Sequence, residues 1–274
     1  MPTPDAAPAV SVVIRAKDEA AAIGHTLELL ARQTISDRIE TIVVDSGSSD
    51  ETVAIARRYR ARVIEIPASS FTFGGALNTG AEAARAPIVA ALSAHAFPRT
   101  DDWLERVLAA FADDRVAAVS GCWNAPEGGP MQAPLVQDED HARRFPNWGY
   151  SNVSGAFRRA LWEQRRFRAD MPSSEDREWA WHWLRQGHLV FMDPDLRVDQ
   201  DHSHDPLREI YARYWRYWRG YTMYLELPPY RLRELAHEWW SDRQGWPNHL
   251  RARLSPRRAA RLFGKFAGLS PTRR

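Results

Sequence analysis

The sequence predicts an α/β fold: a mainly parallel, Rossmann-like central sheet flanked by helices, with a helical, aromatic-rich C-terminal extension. Three observations predict it. Short apolar runs alternate with helical patterns at a spacing of roughly 20–25 residues, the signature of βαβ units. Polar residues follow those runs at their C-terminal ends. Beyond position 206 the pattern turns helical, with Trp and Tyr interleaved with Arg.

The elements follow in order. Residues 1–9 are rich in Pro and Ala and read as a disordered leader. Residues 10–14 are β-branched and predict a strand buried on both faces. Asp18 and Glu19 precede a helical pattern with Ile23, Leu27 and Leu30 on one face. A second strand spans 39–44 and ends at Asp45. Residues 46–50 form a turn in which Asp50 caps a helix over 51–60, with Thr52 solvated nearby. A strand over 61–66 follows. Gly74-Gly75 open a helix over 76–85, and 88–92 predict a fourth strand. A helix over 101–111 and a strand over 116–121 close this half. Residues 124–150 carry Pro126, Gly128, Gly129, Pro130 and Pro134 and read as a long functional loop. A strand over 153–157, helices over 159–164 and 175–186, and a strand over 189–191 complete the sheet region.

Composition narrows the function. The chain has 274 residues, 44% of them hydrophobic, enough for a sizeable core. A net charge of +2 and the absence of an RNP-type segment argue against a nucleic-acid partner. Cys122 is the single cysteine and cannot form an internal disulfide, which fits a reducing cytoplasm. No secretory pattern opens the chain, and no run approaches the ~20 apolar residues of a membrane span.

In a parallel sheet, ligands bind at the carboxyl ends of the strands. The candidate site is therefore built from residues 15–19, 45–50 and 93–97. Carboxylates such as Asp18, Glu19 and Asp45 can accept from a pyrimidine imide or ribose hydroxyls, while Asp18 and Glu19 also suit a helix N-terminus. No Gly-rich phosphate loop follows the first strand. Gly75 allows close backbone approach, and Asn78 can hydrogen-bond a nucleotide. Gly80 and Ala81 suit close helix–sheet packing.

The ordered motifs resemble a known family. Residues 10–19, 43–50 (VVDSGSSD), 73–81 (FGGALNTGA), 92–98 (LSAHAFP) and 174–179 (SEDREW) resemble an inverting family 2 glycosyltransferase of the GT-A fold, closest to its rhamnosyltransferase-like branch. The resemblance covers about residues 10–225. It implies a catalytic domain over 10–205, with a nucleotide-binding half over 10–121, an acceptor half over 122–205, and a helical extension over 206–274. It implies a nucleoside diphosphate sugar donor and a carbohydrate, lipid-linked or small-molecule acceptor.

Arg15, Lys17, Asp18, Glu19, Asp45, Ser46, Gly75, Asn78, Ser93, Ala94 and His95 would then hold the nucleotide sugar. The Asp-x-Asp metal motif of such enzymes is replaced by Ser93-Ala94-His95. His95 would bind a divalent cation, Mn2+ at least as well as Mg2+, or a phosphate directly. Asp201-His202-Ser203-His204-Asp205 offers a second imidazole, with His204 preferred and His202 the alternative. Asp176 would be the catalytic base, with Glu175 binding the donor sugar or orienting a neighbour. Ser173-Ser174 supply a cap signal ahead of them. Two other readings are a non-catalytic nucleotide-sugar binding protein and a nucleotidyltransferase. The retained Asp176 counts against the first and the missing Gly-rich loop against the second.

The region after 206 carries Tyr211, Tyr214, Trp215, Tyr217, Trp218, Tyr221 and Tyr224, then Trp239, Trp240 and Trp246. Such a stripe packs on the catalytic domain, lies in a membrane interface, stacks on sugars or forms a homodimer face. Residues 251–274 read as a basic tail attracted to anionic lipid at the inner face of the membrane.

Overall fold

The computed structural model describes residues 7–200, 202–228, 230–241 and 255–270. Its sheet has the strand order β3-β2-β1-β4-β8-β6-β9-β7. These strands are β1 (Val10–Ala16), β2 (Ile39–Asp45), β3 (Arg62–Glu65), β4 (Ile88–Ser93), β6 (Val116–Gly121), β7 (Leu135–Gln137), β8 (Ser154–Arg158) and β9 (Leu189–Asp193). A separate two-stranded ribbon pairs β5 (Phe97–Pro98) with β10 (Val198–Asp199). Strands β1, β2, β3 and β4 are mutually parallel, and β9 runs parallel to β6.

The run at β1 lacks polar alternation because helices cover both faces of the sheet. Val12 and Ile14 pack with Ile23, Leu27 and Leu30 of α1 (Ile23–Ala31) and with Trp103 and Leu104 of α4 (Trp103–Ala110). Val13, on the opposite face, packs with Ala76 and Leu77 of α3 (Phe73–Ala83) and Trp179 of α7 (Glu175–Leu184). Helix α2 (Thr52–Arg58) lies beside α1.

Two features depart from the sequence expectation. Strand β8 is inserted antiparallel between β4 and β6, and antiparallel pairing leaves no mark in an apolar run buried on both faces. The 124–150 segment is not wholly a loop. It contains β7, which pairs with β9 at the sheet edge, and α5 (Glu139–Arg144), where the Asp138 side chain accepts from the His141 N–H. Helix α6 (Arg159–Gln164) follows β8 directly.

The C-terminal region is helical, as expected: α8 (Leu207–Tyr221), α9 (Leu232–Ser241) and α10 (Pro256–Leu269). Helix α10 lies tightly on α8. A Cβ on Gly264 would sit 2.5 Å from Tyr211 O, and one on Gly268 would sit 2.6 Å from Trp215 O. Over its described residues the expected basic tail is a packed helix in which three cations have partners within the fold. Arg257 donates to His202 O and Asp205 O, and Arg258 to Glu238 O and Trp239 O. Lys265 pairs with Glu238 at 2.6 Å and lies over the Trp218 and Tyr230 rings. These cations are spent on the fold. Residues 1–6 of the expected leader, Asp201, Trp246, 251–254 and 271–274 lie outside the described residues. Among those described, no helix is long and apolar enough to cross a membrane.

Two glycines test this packing. A Cβ on Gly80 would meet Val13 Cγ1 at 2.2 Å, whereas one on Gly24 would meet Ile55 Cγ2 at an ordinary 3.5 Å. Gly80→Ala is expected to destabilise by about 1–3 kcal/mol through overpacking. Gly24→Ala is expected to be neutral or to stabilise by up to about 1 kcal/mol. Urea unfolding of the two variants checks the opposite signs.

Candidate active site

The site is assembled where β1, β2 and β4 end. In register, Arg15 sits between Val44 and Ser93, and Ala16 opposite Asp45. Arg15 Nη1 donates to Phe73 O at 3.2 Å and reaches Glu175 Oε1 at 3.4 Å. Its guanidinium lies 5.5 Å from the centroid of the Phe73 ring. The end of β1 is thereby joined to the start of α3 and to the acid pair that opens α7.

The loop after β2 is knitted to the loop after β1. Asp45 is 1% exposed and accepts from the Gly47 and Ser48 N–H groups, each at 3.0 Å, and from Ser48 Oγ. Its carboxylate thus shapes the turn at the end of β2. Ser46 is buried, with Oγ donating to Ala16 O. Asp18 adopts a positive φ of 51° and accepts from Ser49 N at 2.7 Å, while its own N–H donates to Ser48 Oγ. Asp50 accepts from Ala20 N and Thr52 N. Thr52 is buried and not solvated, because its Oγ1 accepts from Glu19 N. Lys17 is exposed.

Asn78 is also committed internally. Its Nδ2 donates to Phe167 O, and its Oδ1 accepts from Trp162 Nε1 and Phe167 N. This ties α3 to the segment after α6. Gly75 donates its N–H to the capping Thr72 Oγ1 at 2.9 Å. Ala94 is buried, and its carbonyl accepts from Thr26 Oγ1. Ser93, half-buried, ends β4.

His95 and His202 are brought together. Their rings meet edge-on, with centroids 5.5 Å apart. His95 Nδ1 lies 2.9 Å from Glu19 Oε1, and His202 Nδ1 lies 3.2 Å from Asp205 Oδ2. Each imidazole therefore has a carboxylate on Nδ1, which leaves Nε2 for a ligand. Burial, helped by Arg213, pushes His202 below its usual value and favours the neutral, ligating form. His204 is exposed, whereas the ring that meets His95 is that of His202. Among the described residues, no group of three or more His, Cys, Asp or Glu side chains is gathered for a metal. Such a pair fits a cation that completes its shell with oxygens of a ligand, the mixed donor set Mn2+ accepts.

The acid pair sits on a strained turn. Ser174 has φ 67° and its side chain does not cap α7, contrary to the cap signal. Asp176 Oδ2 accepts from Asn152 N at 3.0 Å and Oδ1 from Arg177 N at 2.8 Å. Each oxygen keeps a further lone-pair site. Glu175 is buried. Burial, reinforced by Asp176 and opposed by Arg15, pushes its carboxyl up to about 7.

The turn is held from α8. A Cβ on Gly220 would lie 2.1 Å from Ser173 O, and Arg177 donates to the Tyr221 hydroxyl. Sequence reasoning missed Phe73, Asn152, Arg177 and Tyr221. Asn152 donates its backbone N–H to Asp176, while its side-chain oxygen accepts from the Tyr150 hydroxyl. Arg177 adjoins the acid pair and was the one that position alone could have flagged.

A family model described as Glycosyl transferase family 2 matches residues 11–191. The chain belongs to this family. As a family 2 glycosyltransferase, it is 28% identical over 201 residues to the O-antigen chain rhamnosyltransferase WbaN of Salmonella anatum, a match covering 64% of this chain and 60% of that protein. Over 58 residues, 21% of this chain and 15% of the relative, it is 36% identical to a Staphylococcus aureus 4,4'-diaponeurosporenoate glycosyltransferase. Among solved structures, the glycosyltransferase fold matches the mannosyltransferase PcManGT of Pyrobaculum calidifontis, in complex with GDP-Man and Mn2+, at a TM-score of 0.63. The identity is 22%, with 95% of this chain and 76% of that chain covered. It matches S. aureus TarS 1-349 at 0.59 and 16% identity, covering 95% and 80%.

Glu175 sets a pH dependence for this glycosyltransferase. Between the usual carboxyl value and about 7, the folded state holds a proton that the unfolded chain releases. Stability therefore falls as pH rises through that window and stays low above it. Glu175→Gln is expected to flatten this slope and to raise the melting temperature above pH 7 relative to the parent. Thermal unfolding across pH 5–8 measures it, and parallel curves for parent and variant contradict it.

Proposed function

We propose that the protein transfers a hexosyl group, with inversion, from a nucleoside diphosphate sugar to an acceptor hydroxyl. The observation that carries this is the Glu175-Asp176 pair, aimed by a strained turn and tied through Arg15 to the strand ends. Asp176 is the base: it takes the acceptor proton as the acceptor oxygen bonds to the anomeric carbon and the bond to the diphosphate breaks. Glu175, paired with Arg15, would bind the donor sugar or orient a neighbour. A deoxyhexose such as rhamnose is supported as the transferred sugar by the match to the O-antigen chain rhamnosyltransferase.

His95 and His202 would hold a divalent cation through Nε2. When bound, it supplies positive charge to the departing diphosphate. The chain's own part is to fix both rings by Glu19 and Asp205. The GDP-Man and Mn2+ present in the PcManGT structure support such a site.

Leu207, Tyr211 and Trp215 are exposed at four-residue spacing on α8. This supports peripheral contact with a lipid surface carrying the acceptor.

Asp176→Asn is expected to lower transfer by about 10²–10⁴-fold while donor binding persists. Unchanged turnover would refute the base assignment. Turnover should be lost in EDTA and restored by Mn2+ at least as well as by Mg2+. Full activity in EDTA removes the cation from the scheme. Anionic liposomes should co-sediment the protein at low salt and release it as salt rises. No binding at low salt ends the membrane reading.

A further inference from the structure

Helix α8 faces the catalytic domain with a stripe at positions 213, 216, 217 and 220, the i, i+3, i+4, i+7 pattern of one helix face. Each position has a contact there. Arg213 pairs with Asp205 and lies 3.4 Å from His202 Nδ1. Arg216 lies over the Phe73 ring at 5.9 Å. Tyr217 O accepts from Ser174 Oγ at 3.5 Å, and Gly220 abuts Ser173 O. The helix therefore runs from the histidine pair at one end to the acid-pair turn at the other. Arg216 stands between them, about 4.5 Å along the axis from Arg213 and about 6 Å from Gly220.

The guanidiniums at this edge differ in their partners. Arg15 faces Glu175, Arg177 bonds Tyr221, and Arg213 pairs with Asp205. Arg216 is half-buried, and among the described residues its contact is the Phe73 ring, with no carboxylate. The ring it shares with Arg15 belongs to the first residue of α3. A cation left without an acid in a site that has lost the two acidic positions of Asp-x-Asp is suited to an anion.

We infer that Arg216 binds the diphosphate of the donor, reaching it from the C-terminal extension. This rests on the proposed donor class and assigns the extension a direct part in the site. The sugar nucleotide would lie with its diphosphate between the histidine pair and Arg216 and its anomeric carbon toward Asp176. As that bond breaks, the negative charge growing on the departing diphosphate meets a guanidinium already in place.

Calorimetric titration with UDP, GDP and dTDP, each against its own nucleoside and in Mn2+ buffer, tests this on the full chain. The parent is expected to prefer at least one diphosphate over its nucleoside. Arg216→Gln should weaken that diphosphate roughly ten-fold or more and leave the nucleoside unchanged. Arg216→Lys should recover part of the loss, and the melting temperatures of both variants should match the parent. Unchanged diphosphate affinity in Arg216→Gln, or an equal loss for nucleoside and diphosphate, overturns the role of Arg216 alone. A parent that prefers no diphosphate overturns that role together with the donor reading.

Discussion

Glu175 is a carboxyl buried against one guanidinium, and the architecture of the site depends on that pairing. Arg15 comes from the first strand and Glu175 from a helix 160 positions later. Burial and Asp176 disfavour the charged form of Glu175, and Arg15 opposes them, so losing Arg15 would leave that carboxyl with nothing to favour its charge. The pair therefore fastens the end of β1 to the helix that carries Asp176. It also explains why the acid pair divides its labour. Glu175 lies inside, raised by burial, while Asp176 is half-buried and held by two backbone N–H groups.

The same economy of charge runs through the histidine pair. Ser93-Ala94-His95 removes two carboxylates from the strand end, but carboxylates remain nearby. Glu19 and Asp205 stand behind the imidazoles, each on an Nδ1. If the imidazoles hold a cation as proposed, the carboxylates would stand behind its ligands and not among them. The site is less anionic at its front, which raises the value of cations from elsewhere. Helix α8 brings Arg213 and Arg216 to that edge, and α10 anchors it through Gly264, Gly268 and Arg257.

Much of the fold was legible because β1, β2 and β4 read as apolar runs ended by polar residues. The antiparallel insertion of β8 was not, since a strand covered on both faces carries no record of direction. Short β7 and α5 were hidden among the glycines and prolines of 124–150. The places of residues 15–19, His95 and Glu175-Asp176 in the fold, at strand ends and a helix start, were legible in the apolar runs and the acid pair. The internal bonds of Asn78 and Thr52 were not legible, because their partners, Phe167 and Glu19, lie far away in the chain. His202 could not be told from His204 for the same reason. Its contact to His95 joins residues far apart in the chain.

Displacement at the anomeric carbon by an acceptor activated by Asp176, as proposed, would invert the configuration there. Proton NMR of the first product formed, read from the anomeric coupling before any equilibration, tests it most directly. A glycosidic bond of configuration opposite to that of the donor is the predicted result. A product that keeps the donor configuration would contradict the account.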